Sequence, residues 1–159
     1  MLLIVAQAGS RLNTIHYTQM PQRRGREAYR VFVSYSHKDR WIAKQCVRLI
    51  EQVGTARIRT FLDERDIEVG QHIAEEVLEA IRRCDEFVVL LSPNSKDRPW
   101  VTFEMGAARS RKKPVMAILH NLSPQEMPEM IYPYKAVDLN DFEAQYLEQL
   151  RKRLETRRK

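Results

Sequence analysis

From Tyr29 onward, short apolar runs rich in β-branched residues alternate with longer stretches of helical period. The runs occupy residues 30–35, 58–62, 86–91, 114–119 and, more weakly, 136–139, and predict five strands. Between the first two, Ile42, Cys46, Leu49, Ile50 and Val53 fall on one face of a helix over 37–53, which Gly54 ends. After Gly70, Ile73, Val77 and Ile81 recur at four-residue steps and leave Glu75, Glu76 and Glu79 for solvent. A third helix is predicted from Asp97, as N-cap with Pro99 just inside, to about Lys112. The last, over 141–155, places Tyr146, Leu147, Leu150 and Leu154 on one stripe.

Strands that alternate with helices across short loops require right-handed crossovers. The predicted fold class is therefore α/β, a flavodoxin-like three-layer sandwich whose five-stranded parallel sheet carries helices on both faces. Ligands in such folds bind beyond the carboxyl ends of the strands, which selects the loops starting at Tyr35, Leu62, Ser92 and His120. Neither glycine-rich phosphate cradle, GxGxxG or GxxxxGK[ST], occurs.

Length and composition change the picture in two ways. At 159 residues, 43% apolar and 30% charged, the chain suits one domain, expected over 29–155, with a leader over 1–28 and a basic tail over 156–159. The net charge of +6 resides in the ends: residues 30–150 hold 17 basic against 19 acidic side chains, and residues 151–159 hold 6 against 1. A nucleic-acid-binding body is therefore disfavoured. Cys46 and Cys84 have neither the number nor the spacing of a disulfide framework or metal site, and His16, His37, His72 and His120 show no ligand spacing. The apolar opening, residues 1–6, is too short for a signal peptide or membrane span, so the protein is expected in the cytoplasm, without a membrane partner.

The selected loops carry the candidate chemistry. Tyr35, Ser36 and Lys38 place a phenol, a hydroxyl and a cation at a helix start, which suits a phosphate or ribose; equally, Ser36 caps the helix and Lys38 is solvated. The stretch Asp63, Glu64, Arg65, Asp66, Ile67, Glu68, Val69, Gly70 has four carboxylates, but not at the spacing of a hard-cation loop, and no metal is expected. Trp100 and Glu104 are helical neighbours, either an aromatic wall beside a carboxylate or one packed and one solvated side chain of an amphipathic helix.

The ordered series Val31-Phe32-Val33-Ser34-Tyr35-Ser36-His37-Lys38-Asp39, Phe61-Leu62-Asp63 with Asp66-Ile67 and Gly70, Val88 to Asn94, Trp100 with Glu104, and Lys113-Pro114-Val115 resembles the Toll/interleukin-1 receptor (TIR) domain. It is most similar to the bacterial-type branch. The resemblance implies cleavage of the nicotinamide–ribose bond of NAD, giving nicotinamide and ADP-ribose or a cyclic ADP-ribose species. Glu104 falls on the family's catalytic glutamate. Tyr35, Ser36, Lys38, Asp63, Ser92 and Trp100 fall on substrate-lining positions, and Glu64, Arg65, Asp66, Ile67 and Gly70 on an assembly loop. NAD would be substrate, with no separate cofactor. Self-association through TIR–TIR contacts is expected, with another TIR protein or a nucleotide-sensing effector as further partners, in immunity or effector signalling. Arg98 departs from the family pattern, where Ser or Cys often stands two residues before the Trp. The resemblance also admits a non-catalytic adaptor acting through TIR–TIR contacts. A phospho-acceptor receiver domain is disfavoured, because Ser92 stands where an Asp is required.

Overall fold

A computed structural model describes residues 28–54, 57–62, 71–132 and 134–157, with the side chains of 71–74 excepted. Five strands, β1 (Tyr29–Ser34), β2 (Ile58–Leu62), β3 (Glu86–Leu91), β4 (Val115–Leu119) and β5 (Ala136–Asp138), form one sheet in the order β2-β1-β3-β4-β5. Every pairing is parallel, as the alternation of strand and helix predicts. The helices are α1 (Arg40–Glu51), α2 (Gln71–Arg83), α3 (Pro99–Ser110) and α4 (Glu148–Thr156).

Strand alternation divides the core into two layers. Val31, Val33, Val88, Leu90 and Ile118 face one side, with Cys46 and Ile50 of α1 and Leu150 and Leu154 of α4. Phe32, Phe87, Val89, Leu91 and Ala117 face the other, with Val77 and Ile81 of α2 and Val101 and Met105 of α3. Central β3 is buried along its whole length, as a strand covered on both faces must be. Phe32 stacks between Phe61 at 5.2 Å and Phe87 at 5.3 Å, an aromatic row across three registered strands.

Element boundaries differ from the sequence expectation where proline and turn chemistry intervene. The N-cap of α3 is Arg98, not Asp97: Arg98 is extended (φ −80°, ψ 120°), the conformation imposed by the following proline, and Pro99 opens the helix. The first helix starts with a 3₁₀ turn, His37–Asp39, and ends before Gly54, whose φ of +64° suits a residue without a Cβ. The last helical region is three pieces: a 3₁₀ turn (Leu139–Asp141), a π turn (Phe142–Leu147) and α4. The wider π turn brings Phe142, Tyr146 and Leu147 together onto the buried side. Among the described residues, no helix is long and apolar enough to cross a membrane.

Candidate active site at the strand carboxyl ends

The sheet reverses direction of winding between β1 and β3: β2 lies outside β1 on one side, and β4 and β5 continue beyond β3 on the other. The crevice at this switch point is where a parallel sheet offers ligand space. Its floor is built by parity. Ser34, two residues after Phe32, points to the α3 side, and its Oγ donates to Glu104 Oε2 at 2.5 Å. Both side chains are buried, Glu104 at 1% exposure. Of the two sequence readings of Trp100 and Glu104, a solvated glutamate does not describe the fold. Trp100 is half-buried, one turn before Glu104 on α3, and its ring lies tilted against exposed Phe103 at 5.2 Å between centroids.

A second tie lies farther out from the sheet. Asp39, at 4% exposure, accepts from Ser92 Oγ at 2.5 Å and from Asn94 Nδ2 at 2.8 Å. Asn94 N in turn donates to Ser92 Oγ at 3.0 Å, and Ser95 Oγ bridges Ser92 N and the Leu90 carbonyl at 2.8 and 2.9 Å. The loop after β1 and the loop after β3 are thus joined through a buried carboxylate.

The predicted site residues fall into three groups. Glu104 meets Ser34 at the end of β1, and Ser92 meets Asp39 between the loops after β1 and β3, while Trp100 lies one turn before Glu104 on α3; Ser36, in the loop after β1, has its Oγ buried with no hydrogen-bond partner among the described residues. Tyr35 belongs to the same loop, but its ring packs into the α1/α4 core layer, and Lys38 is exposed at the rim. Asp63, Glu64, Arg65, Asp66, Ile67 and Gly70 lie outside the described residues. Ser34 and Asp39 were missed as site residues, although both belong to the motif quoted above; the parity of Ser34 with Phe32 was the available signal. Arg98 holds the Asn94 carbonyl through Nε at 3.3 Å, at the start of α3.

At the opposite end of the sheet a second polar cluster closes the fold. Glu86, at 2% exposure, accepts from Tyr29 Oη at 2.9 Å and from Arg153 Nη2 at 2.9 and 3.1 Å. Burial, and then the Glu86 charge, push the Tyr29 and Tyr146 phenols well above their ordinary range. A groove of about 380 Å³ between β1, β2 and α2 is lined by Arg30, Arg59, Phe61 and Glu79. It borders β1 and β2 rather than the switch point between β1 and β3, and is not part of the site. Among the described residues, no group of three or more His, Cys, Asp or Glu is placed to hold a metal ion.

The profile of the TIR domain matches residues 31–151. The chain belongs to the TIR domain family. Over 105 residues, 65% of this chain, it is 26% identical to the probable 2′ cyclic ADP-D-ribose synthase BdTIR of Brachypodium distachyon. In a match also of 105 residues, 62% of this chain, it is 25% identical to the NAD(+) hydrolase TcpC of Escherichia coli. These matches span 46% and 33% of those proteins, so the chain corresponds to less than half of either. The TIR domain of the Toll-related receptor TRR-2 of Hydra magnipapillata superposes with a TM-score of 0.62 at 23% identity, covering 79% of this chain and 97% of that one. That likeness concerns the fold, and agrees with the five-stranded parallel sheet.

Proposed function

We propose that this TIR domain cleaves the nicotinamide–ribose bond of NAD, with Glu104 as the catalytic carboxylate. The observation that carries the reading is the position of Glu104, a buried carboxylate at the switch point, tied to Ser34 Oγ and flanked by Trp100. NAD-directed relatives support it. The scissile C1′–N1 bond breaks with its electron pair going to the pyridinium nitrogen, so nicotinamide departs neutral and needs no general acid. What remains is an oxocarbenium-like ribose, and a fixed carboxylate in a low-dielectric site stabilises it. Glu104 holds the ribose hydroxyls and opposes the developing positive charge, while Trp100 walls the pocket. Water at C1′ gives ADP-ribose and releases a proton; an internal nucleophile of the same molecule gives a cyclic species. Ser36, Lys38, Asp63 and Ser92 complete the substrate-binding set, and Tyr35 backs the first-strand loop from the α1/α4 core layer. NAD is the substrate, and the reaction calls for no separate cofactor.

Burial of Glu104 at 1% exposure means that substrate reaches it only after a rearrangement around it. Self-assembly through TIR–TIR contacts, with Glu64, Arg65, Asp66, Ile67 and Gly70 in the contact loop, supplies that rearrangement. The role is in immunity or effector signalling in the cytoplasm, with another TIR protein or a nucleotide-sensing effector as further partner. The same closure favours the second reading, an adaptor that binds other TIR domains without catalysis. The deciding experiment follows nicotinamide release by chromatography from concentrated protein with NAD and a crowding agent, with Glu104→Ala alongside. Release by the unsubstituted protein only, rising more than linearly with protein concentration, supports the enzyme. No release under assembling conditions leaves the adaptor.

A further inference from the structure

Asp39 occupies the N-cap position of α1, where aspartate ordinarily accepts from its own helix, yet its side chain makes no capping bond. Its carboxylate is instead spent on Ser92 and Asn94, more than fifty residues away. Burying a carboxylate at 4% exposure is costly, and bonds to an ionised acceptor are roughly twice as strong as neutral ones. The tie therefore fixes the separation of the two loops it joins. Immediately before Asp39 run Tyr35, Ser36 and Lys38; after Asn94 run Arg98, Trp100 and Glu104. We propose that Asp39 is a positioning residue that sets the distance between the two walls of the NAD site, the first-strand loop and the start of α3. This rests on the NAD-cleaving reading above. Asp39 does not touch the substrate. It acts through Ser92 and Asn94, so that Glu104 and Trp100 stand in register with the loop that carries Ser36. Small displacements of such walls cost about a hundredfold in rate.

The test exchanges donor and acceptor across the tie. Asn94 is exposed, so Asn94→Asp leaves the core intact while setting a second carboxylate against Asp39. In Asp39→Asn/Asn94→Asp the order is restored with its direction reversed: the amide at 39 donates to the carboxylate at 94 and still accepts from Ser92. At a temperature where every variant is folded, Asn94→Asp should lower kcat for nicotinamide release about ten- to hundredfold with KM for NAD within threefold. The exchanged pair should return to within threefold of the unsubstituted protein. Wild-type kcat in Asn94→Asp, or no recovery in the exchanged pair, overturns the proposal while leaving NAD cleavage standing. Amide hydrogen exchange supplies a readout independent of activity: residues 36–39 and 92–96 should lose protection together in Asn94→Asp and regain it together in the exchanged pair. Independent behaviour of the two loops overturns the proposal. If the unsubstituted protein releases no nicotinamide, the NAD reading falls, and the exchange data decide whether Asp39 sets the loop separation.

Discussion

Removing the cation from the buried Glu86 cluster should destabilise this domain more than most surface substitutions. In Arg153→Met the Glu86 carboxylate loses both hydrogen bonds from the guanidinium and its ion-pair partner, keeping the Tyr29 hydroxyl at 2.9 Å. Breaking a buried ion pair from one side costs about 3–5 kcal/mol. Here the Arg153 side chain is 36% exposed, so water replaces part of what is lost, which reduces the expectation to about 2–3 kcal/mol. That figure includes the contact of the guanidinium over the Tyr146 ring at 5.8 Å, worth about 0.5–1 kcal/mol. With an m-value of about 1.5 kcal/mol/M, urea unfolding followed by circular dichroism should show a midpoint lower by about 1.3–2 M. For a domain of this size the melting temperature should fall by about 4–12 °C. Glu86→Leu/Arg153→Met, which removes both charges, should be clearly more stable than the sum of the two single losses predicts. A shift below about 0.5 kcal/mol in Arg153→Met, or strict additivity in the double variant, would refute the reasoning.

Three further outcomes follow from the same geometry. Ser34→Ala removes the donor at 2.5 Å from Glu104 and should cost about 1–3 kcal/mol in chemical denaturation; if Glu104 is catalytic, nicotinamide release should also slow at least tenfold. A stability equal to wild type would show that the bond is not needed. Phe32→Ala opens the centre of the Phe61–Phe32–Phe87 row and should cost about 3–5 kcal/mol, measured by urea unfolding, with a loss under about 1 kcal/mol counting against the row as a core element. Burial pushes the Cys46 and Cys84 thiols up to about 11, so alkylation by iodoacetamide at pH 8 should be much slower in the folded protein than in urea. A raised folded-state pKa contributes stability that is intact below about pH 9 and lost as pH rises toward 11, by about 3 kcal/mol per thiol. A stability profile flat across that window would contradict the burial argument.

Periodicity reports which face of an element is apolar, a local property, and so the five strands, their parallel pairing and the two core layers were legible along the chain. The position of Glu104 at the switch point followed from the rule for open sheets together with the resemblance of its motif. Boundaries failed where local chemistry competes: Pro99 forced Arg98 into the extended conformation and moved the cap by one residue, and the stripe over 141–155 gave no hint of a π turn between two other helical types. The partners of the polar side chains were a different matter. Ser34 meets Glu104 across 70 residues of sequence, Glu86 meets Arg153 across 67, and Asp39 meets Ser92 across 53. Sequence spacing carries no information at such separations. Only the order of strands in the sheet, and the side of it on which each helix packs, brings these carboxylates to their donors, because a buried charge takes its partner from whatever the fold sets beside it.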